Sequence, residues 1–266
     1  MTLLIDTLFQ PTYDHLVKKL PHAVLLYGAQ GVGLFTISSS IGLPGVEVIV
    51  IKPLQKTKTA LPRIAVERIR ELYDQVKSNA QQLIIIDDAE KMTDTAQNAL
   101  LKLLEEPNEH TSFILTSHQP EGLLPTVRSR TQSYFVPPVS GDKINQRIEA
   151  IPGLIQAKKQ QVTFLTAGLP AELHRLIEDD SYFRQRASQI QFVKSLLGAN
   201  AYDAIAKLSK EKLDRVQAIR VAEDTIRLLR IAPTESGVRR ISSLITAHDA
   251  IVYGGNPRLH LIRAML

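Results

Sequence analysis

The sequence predicts an α/β domain with a parallel sheet, followed by a mainly helical region. Short apolar, β-branched runs alternate with helical patterns in the first half, as they do in strand–helix–strand units. After Pro138 the strand signals fade, and helical periodicity continues to the end of the chain. The turn-forming pairs Pro137-Pro138 and Ser140-Gly141 indicate a linker between the two regions.

Five segments of the first half have the length and composition of strands. Continuous apolar runs of this length are typical of parallel sheets that are covered by helices on both faces. We therefore expect buried strands at residues 23–27, 46–51, 83–86, 112–116 and 132–136.

Two segments between these strands have the spacing of amphipathic helices. In residues 66–77 and 95–106, apolar side chains recur three, four and seven positions apart. Thr93 or Asp94 can cap the second helix, and Pro107 ends it because proline lacks the N–H that a helix interior needs. In the later region, start signals predict helices after Gly168-Leu169-Pro170, from Ser181, and after Asn256-Pro257.

The composition indicates a globular protein of two or three domains. The chain has 266 residues, of which 44% are hydrophobic and 22% charged, and it contains no cysteine. The absence of cysteine excludes disulfides, thiolate catalysis and cysteine zinc sites, and the seven histidines show no ligand spacing, so we predict no metal site. Because the start lacks a basic leader and no apolar run nears the roughly 20 residues that a bilayer requires, we expect a cytoplasmic protein without a membrane partner.

The charge of the chain is mildly basic, with a formal net charge of +5 and a pI of about 9.3. Such a surface is either an ordinary solvated one or one that lies near the phosphates of nucleic acid. Charge alone does not distinguish these two interpretations. Aromatic residues make up only 5% and form no basic stripe, which argues against a plain nucleic-acid-binding module.

A glycine-rich turn follows the first predicted strand and opens a helix, as a phosphate-binding loop does. The pattern G-x-x-x-x-G-K-[ST] supplies backbone amides and a lysine to phosphate, and a hydroxyl to Mg²⁺. Gly28, Gly31 and Gly33 are present, but Leu34 stands in the lysine position and Phe35 in the hydroxyl position. Binding and hydrolysis of MgATP should therefore be badly impaired. Alternatively, the glycines serve packing alone.

A second motif has the form of an apolar strand followed by carboxylates. Asp87 stands where a Mg²⁺-directing carboxylate belongs, and Asp88 stands where ATPases usually carry a glutamate that activates water. The aspartate is one methylene shorter, so a base at this position would be displaced. Two acidic residues at a strand end are also common in α/β proteins without such a role.

The region from about His22 to Val136 resembles the bacterial clamp-loader AAA+ family. The segments that carry the resemblance are IAVERIREL (64–72), DDAEKM (87–92), NALLKLLEEP (98–107), FILT (113–116) and LLPTVRSR (123–130). The resemblance implies an AAA+ α/β domain over residues 1–138, a small helical lid over 139–180 and an all-α collar over 181–266. Beyond Pro138 the likeness is architectural only.

Within that family, the altered loop is similar to that of the delta-prime subunits of DNA polymerase III. In the lid, Ala171 stands where active relatives place a nucleotide-sensing arginine. Many relatives also carry a four-cysteine zinc module after the first helix, whereas here residues 42–45 lead almost directly into the next strand, so the module looks deleted.

The segment Ser129-Arg130-Thr131 resembles the Ser-Arg-Cys motif of the family, with its arginine kept. The resemblance implies that Arg130 projects, beside Ser129, toward the γ-phosphate of ATP bound to a neighbouring subunit. A guanidinium is always charged and binds phosphate oxygens in a fork. The alternative is a surface salt bridge, which contributes about 0–1 kcal/mol.

The resemblance therefore implies a subunit of a DNA-directed DNA polymerase holoenzyme with no catalytic centre and no cofactor of its own. Its expected partners are gamma/tau-like ATPase subunits and the delta subunit and, through the complex, the sliding clamp and primed DNA. Its expected role is to help load the clamp during replication. The alternative is an active gamma/tau-like ATPase in which Thr36 and Lys91 replace the missing groups.

Overall fold

The computed structural model describes residues 4–42, 45–55, 62–76, 80–106, 108–231, 235–252 and 254–265. The chain divides into two compact units, Met1–Ile177 and Glu178–Leu266. This division does not test the predicted boundary between an α/β domain and a lid at residue 138, which stays a prediction. Pro107 and residues 43–44, where we predict that a zinc module is missing, lie outside the described residues.

The first unit contains a five-stranded parallel sheet with the order β2-β3-β4-β1-β5. Its strands agree with the five predicted runs to within one residue at each end. They are β1 (Ala23–Tyr27), β2 (Glu47–Ile51), β3 (Gln82–Ile86), β4 (Thr111–Ser117) and β5 (Gln132–Phe135).

Helices cover both faces of this sheet because successive side chains of each strand point to opposite faces. Leu25, Ile84 and Phe113 pack in a core on one face, and Val24 and Ile85 pack in a core on the other. The first core includes residues of α3 (Val66–Gln75) and α4 (Asp94–Glu105), and the second includes residues of α1 (Gln10–Lys18) and α2 (Leu34–Ser40). The predicted α/β fold class is thereby confirmed.

The prediction of buried strands was wrong for the two strands at the edges of the sheet. In β2, Val48 is 44% exposed and Val50 is 37% exposed, and three of the four residues of β5 are exposed. Each of these strands has a neighbour on one side only. A β-branched run indicates a strand, but it does not indicate the position of that strand in the sheet.

Helix α4 begins as predicted. The Thr93 side chain accepts a hydrogen bond of 3.2 Å from the Ala96 N–H, which satisfies one of the free donors at the helix start. Helix α3 ends at Gln75, two residues before the predicted end, and Lys77 is outside the described residues.

The first unit continues through four further helices: α5 (Pro125–Arg128), α6 (Gly141–Glu149), α7 (Gln156–Thr166) and α8 (Pro170–Glu178). Gly168 joins α7 to α8 at a φ of +79°, and a Cβ there would lie 2.7 Å from the carbonyl oxygen of Val139. The turn therefore requires glycine, and α8 opens with Pro170 as predicted.

Within its described residues, the second unit consists of helices joined by short loops, and it has its own apolar core. Its helices are α9 (Asp180–Leu197), α10 (Ala201–Lys210), α11 (Arg215–Ile231), α12 (Glu235–Val252) and α13 (Pro257–Met265). Asn256 caps α13 as predicted, since its side chain accepts a hydrogen bond of 3.1 Å from the Leu259 N–H. No helix in the described part of either unit is long and apolar enough to cross a membrane.

Candidate functional site

The glycine-rich loop lies at the carboxyl end of β1, where parallel sheets of this kind place their ligands. Gly28 is held there by close packing, because a Cβ on Gly28 would lie 2.5 Å from the carbonyl oxygen of Val136. Gly31 has a φ of +95°, and a Cβ there would lie 3.3 Å from the Cβ of Leu169. The backbone geometry and packing of the loop therefore account for a glycine at each of these two positions without any role in phosphate binding.

Helix α8 closes directly over this loop. The Ala171 N–H donates a hydrogen bond of 3.1 Å to the carbonyl oxygen of Gly31. Leu169 packs against the same apolar core as the loop residues Val32 and Leu34. An aliphatic side chain and a backbone hydrogen bond thus join the segment before α8 and its first turn to the loop that would hold phosphate.

The two altered positions of the loop have different surroundings. Leu34 is only 3% exposed and belongs to the core beneath the loop, so it is an apolar packing residue. Phe35 is partly buried, and its ring lies beneath the ammonium of Lys52 at 3.5 Å from ring centroid to Nζ. Thr36 is exposed. Neither altered side chain offers a charge or an oxygen to a phosphate or a metal.

Asp87 directly follows β3 and has partners on both sides. Its Oδ1 accepts a hydrogen bond of 2.8 Å from the Thr116 hydroxyl, and its Oδ2 lies 4.0 Å from Lys52 Nζ. The Asp87 N–H donates to the carbonyl oxygen of Ile51 at 2.9 Å. The carboxylate is therefore held at the end of the sheet between a hydroxyl and a lysine.

Asp88 is held in a left-handed conformation, with φ 51° and ψ 53°, which few non-glycine residues adopt. Its Oδ2 lies 2.5 Å from Lys91 Nζ, and its Oδ1 lies 3.6 Å from His118 Nε2. On the other side of the imidazole, Nδ1–H donates to the carbonyl oxygen of Gly28 at 2.9 Å. The Asp88 carboxylate is thus paired with the Lys91 ammonium and lies near the His118 imidazole, so it is not an isolated carboxylate that could act as a base.

These residues do not fit MgATP. A phosphate loop needs a lysine and a metal-binding hydroxyl, and here those positions hold a core leucine and a phenylalanine ring. The Asp87 carboxylate lies beside Lys52, and the Asp88 carboxylate lies beside Lys91. Among the described residues, no group of three or more His, Asp or Glu side chains could hold a metal ion.

Arg130 lies in the loop between α5 and β5. Its guanidinium donates to Glu105 Oε1 at 2.6 Å and to the carbonyl oxygen of Thr126 at 3.1 Å. The Arg130 side chain is still 36% exposed. Ser129 beside it donates its hydroxyl to Thr126 O at 3.1 Å, which stabilises the turn.

A buried glutamine connects α4 to the segment that leads to Arg130. Gln97 is 1% exposed; its Oε1 accepts from the Leu124 N–H at 2.7 Å, and its Nε2 donates to the Gly122 carbonyl at 3.1 Å. Sequence reasoning missed Gln97. The sequence did carry a signal for it, because Gln97 is a polar residue at a position of α4 where the spacing of the apolar residues predicts a buried side chain.

Three further residues at these sites were also missed. Lys52, His118 and Glu105 lie far along the chain from the residues that they contact. Lys52 and His118 each directly follow a strand end, and this is the one sequence signal that could have drawn attention to them.

Comparisons with known proteins find similar sequences among DNA polymerase III subunits and a solved structure with a similar fold. Residues 44–140 match the family model described as DNA polymerase III, delta subunit. The chain is similar to the DNA polymerase III subunit delta' of Pseudomonas aeruginosa, with 30% identity over 206 residues, which is 66% of this chain and 61% of that protein. It is also similar to the subunit delta' of Yersinia pestis, with 52% identity over 77 residues, which is 27% of this chain and 23% of that protein.

The chain thus spans less than two thirds of the length of these curated relatives. Among solved structures, it is similar to the RuvB Holliday junction branch migration motor of Thermotoga maritima, with a TM-score of 0.53 and 13% identity. That match covers 96% of this chain and 83% of the other, and it shows a shared fold alone. The family model and the relatives make the chain similar to clamp-loader AAA+ proteins, near the delta-prime subunits of DNA polymerase III.

Proposed function

We propose that the chain is a non-hydrolysing, delta-prime-like subunit of the clamp loader of DNA polymerase III. Its partners in this proposal are gamma/tau-like ATPase subunits and a delta subunit. The assembled complex loads the sliding clamp onto primed DNA in the cytoplasm during replication. The proposal also treats residues 139–180 as the lid and residues 181–266 as the collar, as the resemblance to the clamp-loader family implies.

The observation that carries the proposal is the contrast between the two motif regions. In the phosphate loop, Leu34 belongs to the core and Phe35 packs against Lys52. Arg130, by contrast, is present on an exposed loop, where Glu105 and the Thr126 carbonyl accept hydrogen bonds from its guanidinium and orient it. A chain that keeps the arginine but not the phosphate-binding groups is suited to act on nucleotide held by a neighbour.

In the proposed mechanism, Arg130 enters the nucleotide site of the adjacent ATPase subunit. Its guanidinium stabilises the charge that develops on the γ-phosphate during transfer to water. Arginine fingers supplied in this way contribute about 10³–10⁵ to the rate where they have been measured. No step of the reaction uses the glycine-rich loop of this chain.

The competing proposal, an active ATPase that uses Thr36 and Lys91, has weaker support. Thr36 is exposed and one position beyond the hydroxyl position of the motif. Lys91 lies after β3, where its Nζ is 2.5 Å from Asp88 Oδ2, and the lysine position of the motif itself is occupied by the core residue Leu34.

The test is DNA-dependent ATP hydrolysis by a complex reconstituted from this chain and the ATPase and delta subunits of the same organism. We expect Arg130→Ala to lower hydrolysis while the complex still assembles, as judged by gel filtration. Arg128→Ala is the matched control, because Arg128 is also exposed and lies two residues away. Normal hydrolysis with Arg130→Ala would refute the role of the arginine.

A further inference from the structure

A lysine that follows β2 lies between the phenylalanine of the altered loop and the first carboxylate after β3. Lys52 Nζ lies 3.5 Å from the centroid of the Phe35 ring and 4.0 Å from Asp87 Oδ2. In phosphate-loop ATPases, the side chains at the positions of Phe35 and Asp87 direct a Mg²⁺ ion between them. Here a side-chain ammonium lies between them.

The backbone of the sheet fixes this arrangement. Strands β2 and β3 are parallel and pair Ile51 with Ile86, so the next residues, Lys52 and Asp87, leave the sheet side by side. The Asp87 N–H continues the ladder with a hydrogen bond of 2.9 Å to the Ile51 carbonyl. Lys52 is thus delivered to the Asp87 carboxylate by strand register.

The chemistry of the two altered positions is complementary. The face of an aromatic ring carries negative charge density and attracts an ammonium, whereas it gives no lone pair to Mg²⁺. A hydroxyl at residue 35 would favour a metal, and a phenylalanine at residue 35 favours an organic cation. Phe35 and Lys52 therefore form a matched pair.

We propose that the ammonium of Lys52 is the resident cation of this site and replaces the divalent metal of the family. The carboxylate of Asp87 is neutralised by the chain itself, so the site neither needs nor admits Mg²⁺. This inference rests on the altered loop that also supports the proposed function, but it does not depend on Arg130 or on any partner subunit.

The proposal can be tested on the isolated full chain with Mn²⁺ as the probe and no nucleotide. Free Mn²⁺ is counted by its paramagnetic resonance signal. We expect the native chain to bind Mn²⁺ only weakly and without saturation. The double variant Lys52→Met/Phe35→Thr should gain one saturable site that binds Mn²⁺ about tenfold or more tightly than the native chain does, because a repelling charge is removed and an oxygen is added. Lys52 is half exposed, but Phe35 is partly buried against the core, so circular dichroism of the double variant is recorded to verify that its fold is intact.

Two controls separate this explanation from a general change of charge. Lys18→Met/Phe35→Thr removes an equal charge from an exposed position in α1 and should behave as the native chain does. Adding Asp87→Asn to Lys52→Met/Phe35→Thr should abolish the gained site. Binding of Mn²⁺ by the native chain as tightly as by Lys52→Met/Phe35→Thr would overturn the proposal, and so would failure of that variant to gain a site. A failure of the Arg130 test in the assembled complex would leave this result unaffected.

Discussion

Replacing Gln97 tests whether a buried side chain supports the segment that carries Arg130. Gln97→Ala leaves the Leu124 N–H and the Gly122 carbonyl without their partners at 2.7 and 3.1 Å. An unsatisfied buried group costs about 1–3 kcal/mol. Because this segment is partly exposed, water restores part of the loss, and we expect the free energy of unfolding to fall by about 1–3 kcal/mol in total.

The measurement is urea unfolding followed by far-ultraviolet circular dichroism, since the chain has no tryptophan. Amide hydrogen exchange should also become faster in residues 122–130. Gln97→Met fills the space without the hydrogen bonds and should lose nearly as much stability as Gln97→Ala. Gln119→Ala, at an exposed position of the same segment, should change stability by less than about 0.5 kcal/mol. A Gln97→Met variant as stable as the native chain would show that volume matters here and that the hydrogen bonds do not.

Three other perturbations have defined outcomes. Asp224→Ala should lower the free energy of unfolding by about 3–5 kcal/mol in urea titrations, because the buried Arg186 loses its bidentate partner at 2.8 and 3.2 Å. Asp224→Leu/Arg186→Met should recover most of that loss, and an unchanged urea midpoint for Asp224→Ala would contradict this expectation. Glu223 and Asp249 raise the pKa of His248 from 6.5 to about 9, so the stability that His248 contributes should be full below pH 6.5 and decline as the pH rises to 9. The native chain should therefore lose more thermal stability over that pH range than His248→Asn does. Equal losses would show that the protonation of His248 is not linked to stability. Gly28→Ala should cost about 1–3 kcal/mol through overpacking against a carbonyl at 2.5 Å, and a variant of native melting temperature would show that this glycine is not kept for packing.

Local patterns were sufficient to predict the strands and the cap of α4, and they also underlie the prediction that phosphate-binding groups are lost. Each of these is encoded in a few consecutive residues, such as Thr93 before an apolar helical pattern or Leu34 and Phe35 in a motif of fixed spacing. The exposure of β2 and β5 could not be predicted in the same way, because the order of strands in a sheet depends on how the crossovers run.

The contacts that give the site its character are tertiary. Lys52 reaches Phe35 and Asp87 only because β2 and β3 pair in a particular register. Arg130 meets Glu105 only because α4 ends near the loop before β5. The residue types could be recognised from the sequence, but their partners could not, since each pair is separated by loops and strands of variable length.

The central claim is that this chain does not use nucleotide of its own. It is tested most directly by isothermal titration calorimetry of MgATP into the isolated native chain. We expect no saturable heat, because Leu34 and Phe35 stand in the lysine and hydroxyl positions of the motif and Lys52 Nζ lies 4.0 Å from the Asp87 carboxylate. Tight binding of one MgATP per chain would contradict this expectation and would make the chain an ATPase candidate in its own right.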